Sequence, residues 1–459
     1  MTHKTPIQKN KGTTPAEAYL SQLCQHAFLS MWSYPNVYRA SGKELCDLLV
    51  VFGDYVIIFS DKLSPFQEHK TLEVSWKRWF SRSIQESAQQ LWRAANWIKD
   101  YPNRVFLDEK CSQPFPYDLS RRQLKIHLVA VAHGSSLAVR NFFGDSGSLM
   151  LNSSLRGQKV HTLPFTVGDL EPRKNFIHIL DDESLLTVIR HRDTITDFIQ
   201  YLEKREQLFR SPVIISTTGE EELLAVYLTK LNKDNEHDFV FSVPDDQPVN
   251  GIFLDQGYWK DFKASKQHAE QRKHDQISYM WDMLIERFSY HALQGTQYFV
   301  SEGGFHDSER ILRFMAGESR LVRRAYSENL EDMFKNTPPT MQRIRVLSPL
   351  LPGRPYYVVL LLPVLTGRPY EEYREVRQNL LYACCQIVRL KFPDAKDIVG
   401  IAMEPPQNVG GSEDACYYDG RGWTEAQEEE VRKLQNDLGI LKNMNVNRTN
   451  TKEYPAASS

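Results

Sequence analysis

Two side chains of opposite charge, Asp47 and Lys62, are spaced so that both can lie at the open end of one β-hairpin. If Phe52 pairs with Tyr55 across the turn, Asp47 lies opposite Ser60. Side chains alternate between the two faces of a strand, so Ser60 and Lys62 share a face with Asp47. Charges beside an apolar hairpin must be solvated or paired. The two groups are therefore candidates for chemistry, and the plainest alternative is a surface ion pair worth under about 1 kcal/mol.

Two apolar segments form the hairpin that positions these side chains. Residues 48–52 and 55–59 are rich in β-branched and aromatic side chains, and Gly53 and Asp54 between them favour a tight turn. The sequence predicts a helix before the hairpin that begins at Pro15, a residue favoured in the first helical turn.

Glu17 borders the apolar stripe of this first helix, and its position allows two interpretations. One is a solvated acid in the first turn, where the helix dipole favours negative charge. The other is a carboxylate that joins Asp47 and Lys62. Asp61 differs from these residues because the alternation along its strand turns its side chain to the opposite face.

The acid at the start of one strand and the lysine at the end of the next, Asp47 and Lys62, resemble the motif of the PD-(D/E)xK restriction-endonuclease-like nuclease superfamily. The family's second acid falls at Ser60, and a hydroxyl is a poorer metal ligand than a carboxylate. The resemblance implies an N-terminal mixed sheet flanked by helices. It also implies hydrolysis of phosphodiesters in DNA or RNA with Mg²⁺ or Mn²⁺, and by analogy of fold a role in bacterial defence.

The same resemblance implies a role for each residue of the site. Asp47 is the main metal ligand, Glu17 is a second ligand, and Asp61 contributes its backbone carbonyl. Lys62 orients the attacking water or stabilises the anionic transition state. Gln90, on the helix after the lysine strand, orders the water or phosphate at the metal. With a hydroxyl at the second acid position, we expect lower metal affinity and a modest or regulated activity.

Residues 74–99 predict one long helix with an apolar face and a basic face. Its basic side chains, on or beside the outer side, are Lys77, Arg78, Arg82 and Arg93. They can contact a nucleic-acid backbone, and we expect DNA rather than RNA as the partner. The alternative is a core helix whose basic face is simply solvated.

His127 and His133 belong to a long apolar segment that predicts a central strand. Imidazole is a common metal ligand, so both residues are candidates for a metal site. A histidine in an apolar strand is, however, more often a hydrogen-bonded core residue. We therefore interpret both as core residues with hydrogen bonds.

The order of elements predicts an α/β protein with several regions. Residues 15–150 form the nuclease-like domain, residues 151–257 an α/β middle region, and residues 258–445 a helix-rich α/β domain. In the last region, a strand, a helix and a second strand between residues 356 and 403 predict a crossover unit with its own sheet. One or two further α/β regions therefore follow the nuclease-like sheet.

Composition bounds the class of protein. The chain has 459 residues, 41% of them hydrophobic and 25% charged, which is ordinary for a globular protein. A net charge of −2 means that any basic surface is local. The six cysteines include no CxxC pair, and no apolar segment is long enough to span a bilayer. We expect a cytoplasmic protein without membrane contact. The sequence leaves open whether the protein forms a homo-oligomer or binds a partner protein.

A protein of another class fits the same sequence. Ser60 and the near-neutral net charge are also expected of a nuclease-fold binding or scaffold protein without catalysis. That alternative predicts binding of nucleic acid or protein without metal-dependent turnover.

Overall fold

The chain divides into two compact units in the computed structural model. The first unit comprises residues 7–269, and the second comprises residues 270–459 with residues 1–6. The described residues are 6–68, 71–121, 123–144, 147–233, 236–241, 250–299, 303–364, 367, 369–405, 411–446 and 451–454.

The first unit contains two mixed sheets. Its strands are β1 (Ser33–Arg39), β2 (Lys43–Phe52), β3 (Tyr55–Leu63), β4 (Val105–Phe106), β5 (Lys125–His133), β6 (Met150–Arg156), β7 (Thr166–Asp169), β8 (Ile177–Asp181), β9 (Ile214–Thr217) and β10 (Gly251–Leu254). A six-stranded sheet has the order β4-β1-β2-β3-β5-β8, and a four-stranded sheet has the order β10-β9-β6-β7. The pairs β4-β1, β1-β2 and β2-β3 are antiparallel, whereas the pairs β3-β5 and β5-β8 are parallel.

The helices of the first unit cover both faces of the six-stranded sheet. They are α1 (Pro15–Phe28), α2 (Leu72–Phe80), α3 (Glu86–Asp100), α4 (Ser136–Phe143), α5 (Asp182–His191), α6 (Ile195–Phe209), α7 (Glu220–Thr229) and α8 (Tyr258–Ala264), and α9 (Lys266–Asp275) spans the boundary at residue 269. Phe59 of β3 packs against Phe28 of α1 and Phe198 of α6. Ile58, the preceding residue, belongs to the core that contains Leu91 of α3. Alternation along β3 thus separates an α1/α6 face from an α3 face.

The hairpin has the predicted register. Phe52 pairs with Tyr55, and Leu48 pairs with Phe59. The turn depends on Gly53, whose φ of 59° lies in the left-handed region that other residues rarely adopt. The predicted relation between Asp47 and the end of β3 therefore has its backbone basis.

The long helix predicted over 74–99 is two helices joined by a π-helical turn, Ser81–Gln85. The N–H of Glu86 donates to the carbonyl of Ser81, five residues back. Buried residues at four-residue intervals, Trp76, Phe80, Ile84 and Ala88, explain the turn. A spacing of four drifts around a straight α-helix of 3.6 residues per turn, and the wider turn removes the drift.

The second unit has a single four-stranded sheet among its described residues, in the order β11-β12-β13-β14. Its elements are α10 (Tyr279–Gln294), α11 (Phe305–Ala316), α12 (Arg320–Lys335), β11 (Arg343–Leu347), β12 (Tyr356–Leu361), α13 (Tyr370–Lys391), β13 (Asp397–Met403), β14 (Glu413–Asp419) and α14 (Glu425–Leu438). β12 and β13 are parallel and joined through α13, as the crossover prediction requires.

The α/β class is confirmed by these mixed sheets and their helices. The boundary expected near residue 150 lies inside the first unit. The reason is that β8, from the segment expected to form a middle region, pairs with β5 in the main sheet. Among the described residues, every helix is too short or too polar to cross a lipid bilayer.

Candidate functional site

Asp47 lies near the middle of β2 and is 8% exposed. Its Oδ2 accepts a hydrogen bond of 2.5 Å from the backbone N–H of Asp61. The backbone pairs between β2 and β3 end at Leu48 and Phe59, so beyond them a side chain takes the place of a carbonyl. The carboxylate is thereby fixed at the open end of the hairpin.

Electrostatic crowding distinguishes this carboxylate from an ordinary aspartate. Burial raises the pKa of Asp47 to about 7, although the Asp61 N–H acts in the opposite direction. The charges of Glu44, Glu17 and Asp61 raise the pKa further. Four acidic residues therefore share this end of the hairpin, and their repulsion favours any positive charge placed among them.

Lys62 supplies positive charge to the same region without forming an ion pair. Burial raises the pKa of nearby Glu44, and the positive charge of Lys62 acts to lower it. Within the described ranges, no carboxylate oxygen lies within 4.0 Å of the Lys62 ammonium. The surface ion pair between Asp47 and Lys62 is therefore wrong as an interpretation, because Asp47 is buried and the lysine is unpaired.

Gln90 contacts Ser60, which lies opposite Asp47 in the hairpin. The Ser60 hydroxyl donates to Oε1 of Gln90 over 3.3 Å, which places the glutamine of α3 on the Asp47 face of the sheet. The sequence-predicted residues Asp47, Lys62 and Gln90 thus belong to one end of β2 and β3.

Glu17 is engaged in capping the first helix. Its Oε2 accepts from the backbone N–H groups of Thr13 and Thr14, at 2.7 and 3.2 Å, and from Nδ2 of Asn36 at 3.0 Å. Burial alone would raise the pKa of Glu17, but these hydrogen bonds lower it. The first-turn position of Glu17 is therefore confirmed, and its charge still acts on Asp47.

Glu44 is a member of the site that the sequence analysis missed. Asn36 donates to Oε1 of Glu44 over 2.6 Å as well as to Glu17, and so links the two acids. β1 and β2 change register at Val37, which leaves Leu45 without a partner in β1. Such a bulge resets the alternation of side chains and brings Glu44 to the side of Asp47.

The side chain of Asp61 points to the opposite face, as predicted. Its Oδ1 lies 2.6 Å from Nε2 of His133, and Nδ1 of His133 lies 2.5 Å from Oδ1 of Asp182. Burial opposes the charged imidazole, but the two carboxylates raise the pKa of His133 to about 10. His133 is therefore a hydrogen-bonded cation, and only the backbone of Asp61 borders the Asp47 side.

His127 departs from the interpretation as a hydrogen-bonded core residue. It is 6% exposed, so its burial is confirmed. Neither ring nitrogen has a hydrogen-bond partner among the described residues, so that part of the interpretation is wrong.

The basic side chains of the helix after the hairpin are all exposed: Lys77, Arg78, Arg82 and Arg93. Trp76 and Trp79 beside them are 0% and 2% exposed. The tryptophans belong to the core and are not available to stack on bases, so only the charges of this face can contact nucleic acid.

The acids around Asp47 do not form a preassembled metal cluster. Among the residues that the structure describes, one group of three ligand residues has its ligand atoms within 4.8 Å of one another, and it contains neither Asp47 nor Glu17. Comparison with protein-family models, curated proteins and solved structures finds no match.

Proposed function

We propose that the first unit is a metal-dependent phosphodiester hydrolase whose site is the Asp47 end of β2 and β3. The observation that carries the proposal is a buried carboxylate, Asp47, that shares this end with the Lys62 ammonium, which forms no ion pair with any described residue. A cation-binding acid beside a free cationic group is what a phosphodiester requires, because its hydrolysis builds negative charge on the phosphoryl oxygens.

The acids of the site fit a hard divalent cation. Burial and neighbouring negative charge raise the pKa of Asp47 to about 7, and a bound cation relieves both effects. Carboxylate and carbonyl oxygens are the ligands that Mg²⁺ and Mn²⁺ prefer. Asp47 is the main ligand in this proposal, and Glu44, Glu17 and the Asp61 carbonyl complete the set. These residues would hold Mg²⁺ or Mn²⁺, which would supply an activated water and neutralisation of charge.

The chain's own groups orient the substrate. The Lys62 ammonium stabilises the phosphoryl oxygens as their charge increases. Gln90, positioned through the Ser60 hydroxyl, donates its amide N–H groups to a phosphate oxygen or to water. The exposed bases Lys77, Arg78, Arg82 and Arg93 bind the backbone of the nucleic acid, which we propose is DNA.

A catalytically silent binding protein is the second candidate. The observation that favours it is the engagement of Glu17 Oε2 by Thr13, Thr14 and Asn36, which leaves that oxygen no free position for a metal. In this candidate, the basic face binds nucleic acid and the Asp47 end is inert.

Cleavage assays distinguish the two candidates. Single- and double-stranded DNA and RNA are incubated with Mg²⁺ or Mn²⁺ and the wild type, Asp47→Asn or Lys62→Met. Matched controls are Asp54→Asn, at the turn of the same hairpin, and Lys43→Met, at the exposed start of β2. We expect cleavage by the wild type and both controls only.

Equal cleavage by all five proteins contradicts the site. DNA binding by the wild type without turnover under any condition supports the silent candidate instead.

A further inference from the structure

We propose that His127, His178 and Glu206 form a binding site for a transition-metal dication of the zinc class. One ligand atom from each residue lies within 4.8 Å of the other two. The site is distinct from the Asp47 end, since it uses none of the same residues. No short sequence motif predicts the site, because its three residues lie on separate elements, β5, β8 and α6.

The register of the main sheet brings the two histidines together. β5 and β8 are adjacent and parallel, and His178 pairs with Val129. Because alternate residues share a face, His127, Val129 and His178 all point to the same side. Phe59, which also pairs with Val129, packs on Phe198 of α6, so this side is the α6 face that carries Glu206.

Both histidines have buried ring nitrogens without partners. Nδ1 and Nε2 of His127 and Nε2 of His178 have no hydrogen bond within the described part of the chain. The residues are 6% and 0% exposed. A buried polar atom without a partner costs about 1–3 kcal/mol. Three such atoms in one place indicate that the site binds something absent from the polypeptide.

Aromatic rings enclose the two histidines. The rings of Tyr55 and Phe176 flank the two histidines at 6.1 and 5.0 Å between centroids, and they limit access of water.

The ligand set selects the type of cation. Two imidazoles and one carboxylate are a known zinc combination, with a fourth position left for water. Zn²⁺ bonds of about 2.0–2.1 Å place tetrahedral ligand atoms about 3.3 Å apart. The atoms here are within 4.8 Å, so a rotation of the half-buried Glu206 side chain suffices to close the site.

Two arginines border the site, and each has an acid of its own. Nη1 of Arg205 lies 3.4 Å from Nδ1 of His178, a long contact, while the same guanidinium holds Glu220 at 2.8 Å. Arg210 contacts Glu206 at 2.8 Å and Asp169 at 2.9 Å. Metal binding thus requires Arg210 to release Glu206, and it retains Asp169 as its partner.

Cobalt(II) is the probe for this site, because tetrahedral Co²⁺ absorbs visible light strongly. The full chain is dialysed against a chelator and titrated with Co²⁺ and then with Zn²⁺, and metal content is measured by mass spectrometry. The titration is repeated with Asp47→Asn, so that a cation at the Asp47 end is not counted. We expect one Co²⁺ per chain with a tetrahedral spectrum that Zn²⁺ abolishes, in both proteins.

Three variants locate the metal. Glu206→Gln and His127→Gln remove a ligand each and should weaken binding by more than about 100-fold, the upper range for loss of a partner outside the ligand set. Glu86→Gln, at the exposed start of α3 on the opposite face of the sheet, removes the same charge without removing a ligand, and should bind within about two-fold of wild type. Circular dichroism verifies that each variant is folded.

Absence of stoichiometric Co²⁺ binding by the wild type overturns the proposal, and a buried water is then the partner of the ring nitrogens. Binding that persists unchanged in folded Glu206→Gln overturns it as well. The titration of Asp47→Asn decides the matter even if the His127 variant does not fold.

Discussion

The two candidate sites use opposite faces of the same six-stranded sheet and contrast in chemistry. The Asp47 end gathers acidic residues whose mutual repulsion and burial raise the pKa of Asp47. The cluster of His127, His178 and Glu206 combines two imidazoles, which burial keeps unprotonated, with a single carboxylate. In the two proposals made above, a single sheet serves two cation preferences: oxygen ligands for Mg²⁺ or Mn²⁺ on one face, and mainly imidazole ligands for a zinc-class ion on the other.

The pH dependence of stability gives the largest expected contrast. Burial raises the pKa of Asp47 from 3.8 to about 7, so the stability it confers is complete below pH 3.8 and is lost as pH rises through 7. Burial lowers the pKa of His127 from 6.5 to about 4, so its contribution is complete above pH 6.5 and is lost as pH falls through 4. The two effects amount to at most about 4 and about 3 kcal/mol, with opposite signs.

Urea unfolding of metal-free protein between pH 4.5 and 7.5 measures both effects. Asp47→Asn should gain stability relative to wild type as pH rises, and His127→Gln should lose it. If the stability of both variants changes with pH as the wild type's does, the predicted opposite contributions of Asp47 and His127 are contradicted.

Catalysis should depend on the Asp47 end alone. We expect Asp47→Asn to lower Mg²⁺-dependent cleavage by more than about 100-fold, since it removes the principal ligand. Lys62→Met should lower kcat by about 100-fold while KM changes less, because its charge acts on the transition state. Initial rates on a fluorescent DNA substrate measure both, and full activity in Lys62→Met would remove Lys62 from the site.

A designed gain of function sharpens the contrast further. Ser60→Asp restores the second acid of the nuclease-like motif and adds an oxygen ligand on the Asp47 face. We expect the Mg²⁺ concentration for half-maximal cleavage to fall about ten-fold, because affinity follows the charge of the ligands. Ser60→Ala, which removes the bond to Gln90 without adding charge, should show no such gain. An unchanged Mg²⁺ requirement in Ser60→Asp contradicts the placement of the cation.

The smallest expected effect concerns the basic face of the helix after the hairpin. Lys77→Gln combined with Arg82→Gln should reduce the salt slope of DNA affinity by about 2, because each substitution leaves one phosphate without its cationic partner. Lys433→Gln, on the exposed surface of α14, is the control and should leave the slope unchanged. Fluorescence anisotropy at several salt concentrations measures the slopes, and identical slopes for all proteins would exclude this face from binding.

Much of the Asp47 end could be predicted because its geometry is local. The apolar pattern and Gly53 specify the hairpin register, and that register places Asp47 opposite Ser60. Glu44 escaped prediction, since the bulge at Leu45 depends on how β1 pairs with β2. The first-turn position of Glu17 could be predicted from the sequence, whereas its capping bonds and its contact with Asn36 could not.

The histidine cluster could not be predicted, because its ligands are far apart in the sequence. The apolar pattern around His127 predicts a strand, and it contains no information on which strand lies beside it. Only the parallel pairing of β5 with β8 brings His178 next to His127, and only the packing of α6 adds Glu206. A histidine whose nitrogens have no hydrogen bond is visible in coordinates and not in composition.

The π-helical turn between α2 and α3 determines which side chains of α3 face the six-stranded sheet. One residue corresponds to about 100° of rotation around an α-helix. Deleting a single residue from Ser81–Gln85 would therefore swing Gln90 away from Ser60 and present a different side of α3 to the sheet. The number of residues in this turn, more than their side chains, determines the direction in which Gln90 points and so keeps its amide in contact with Ser60.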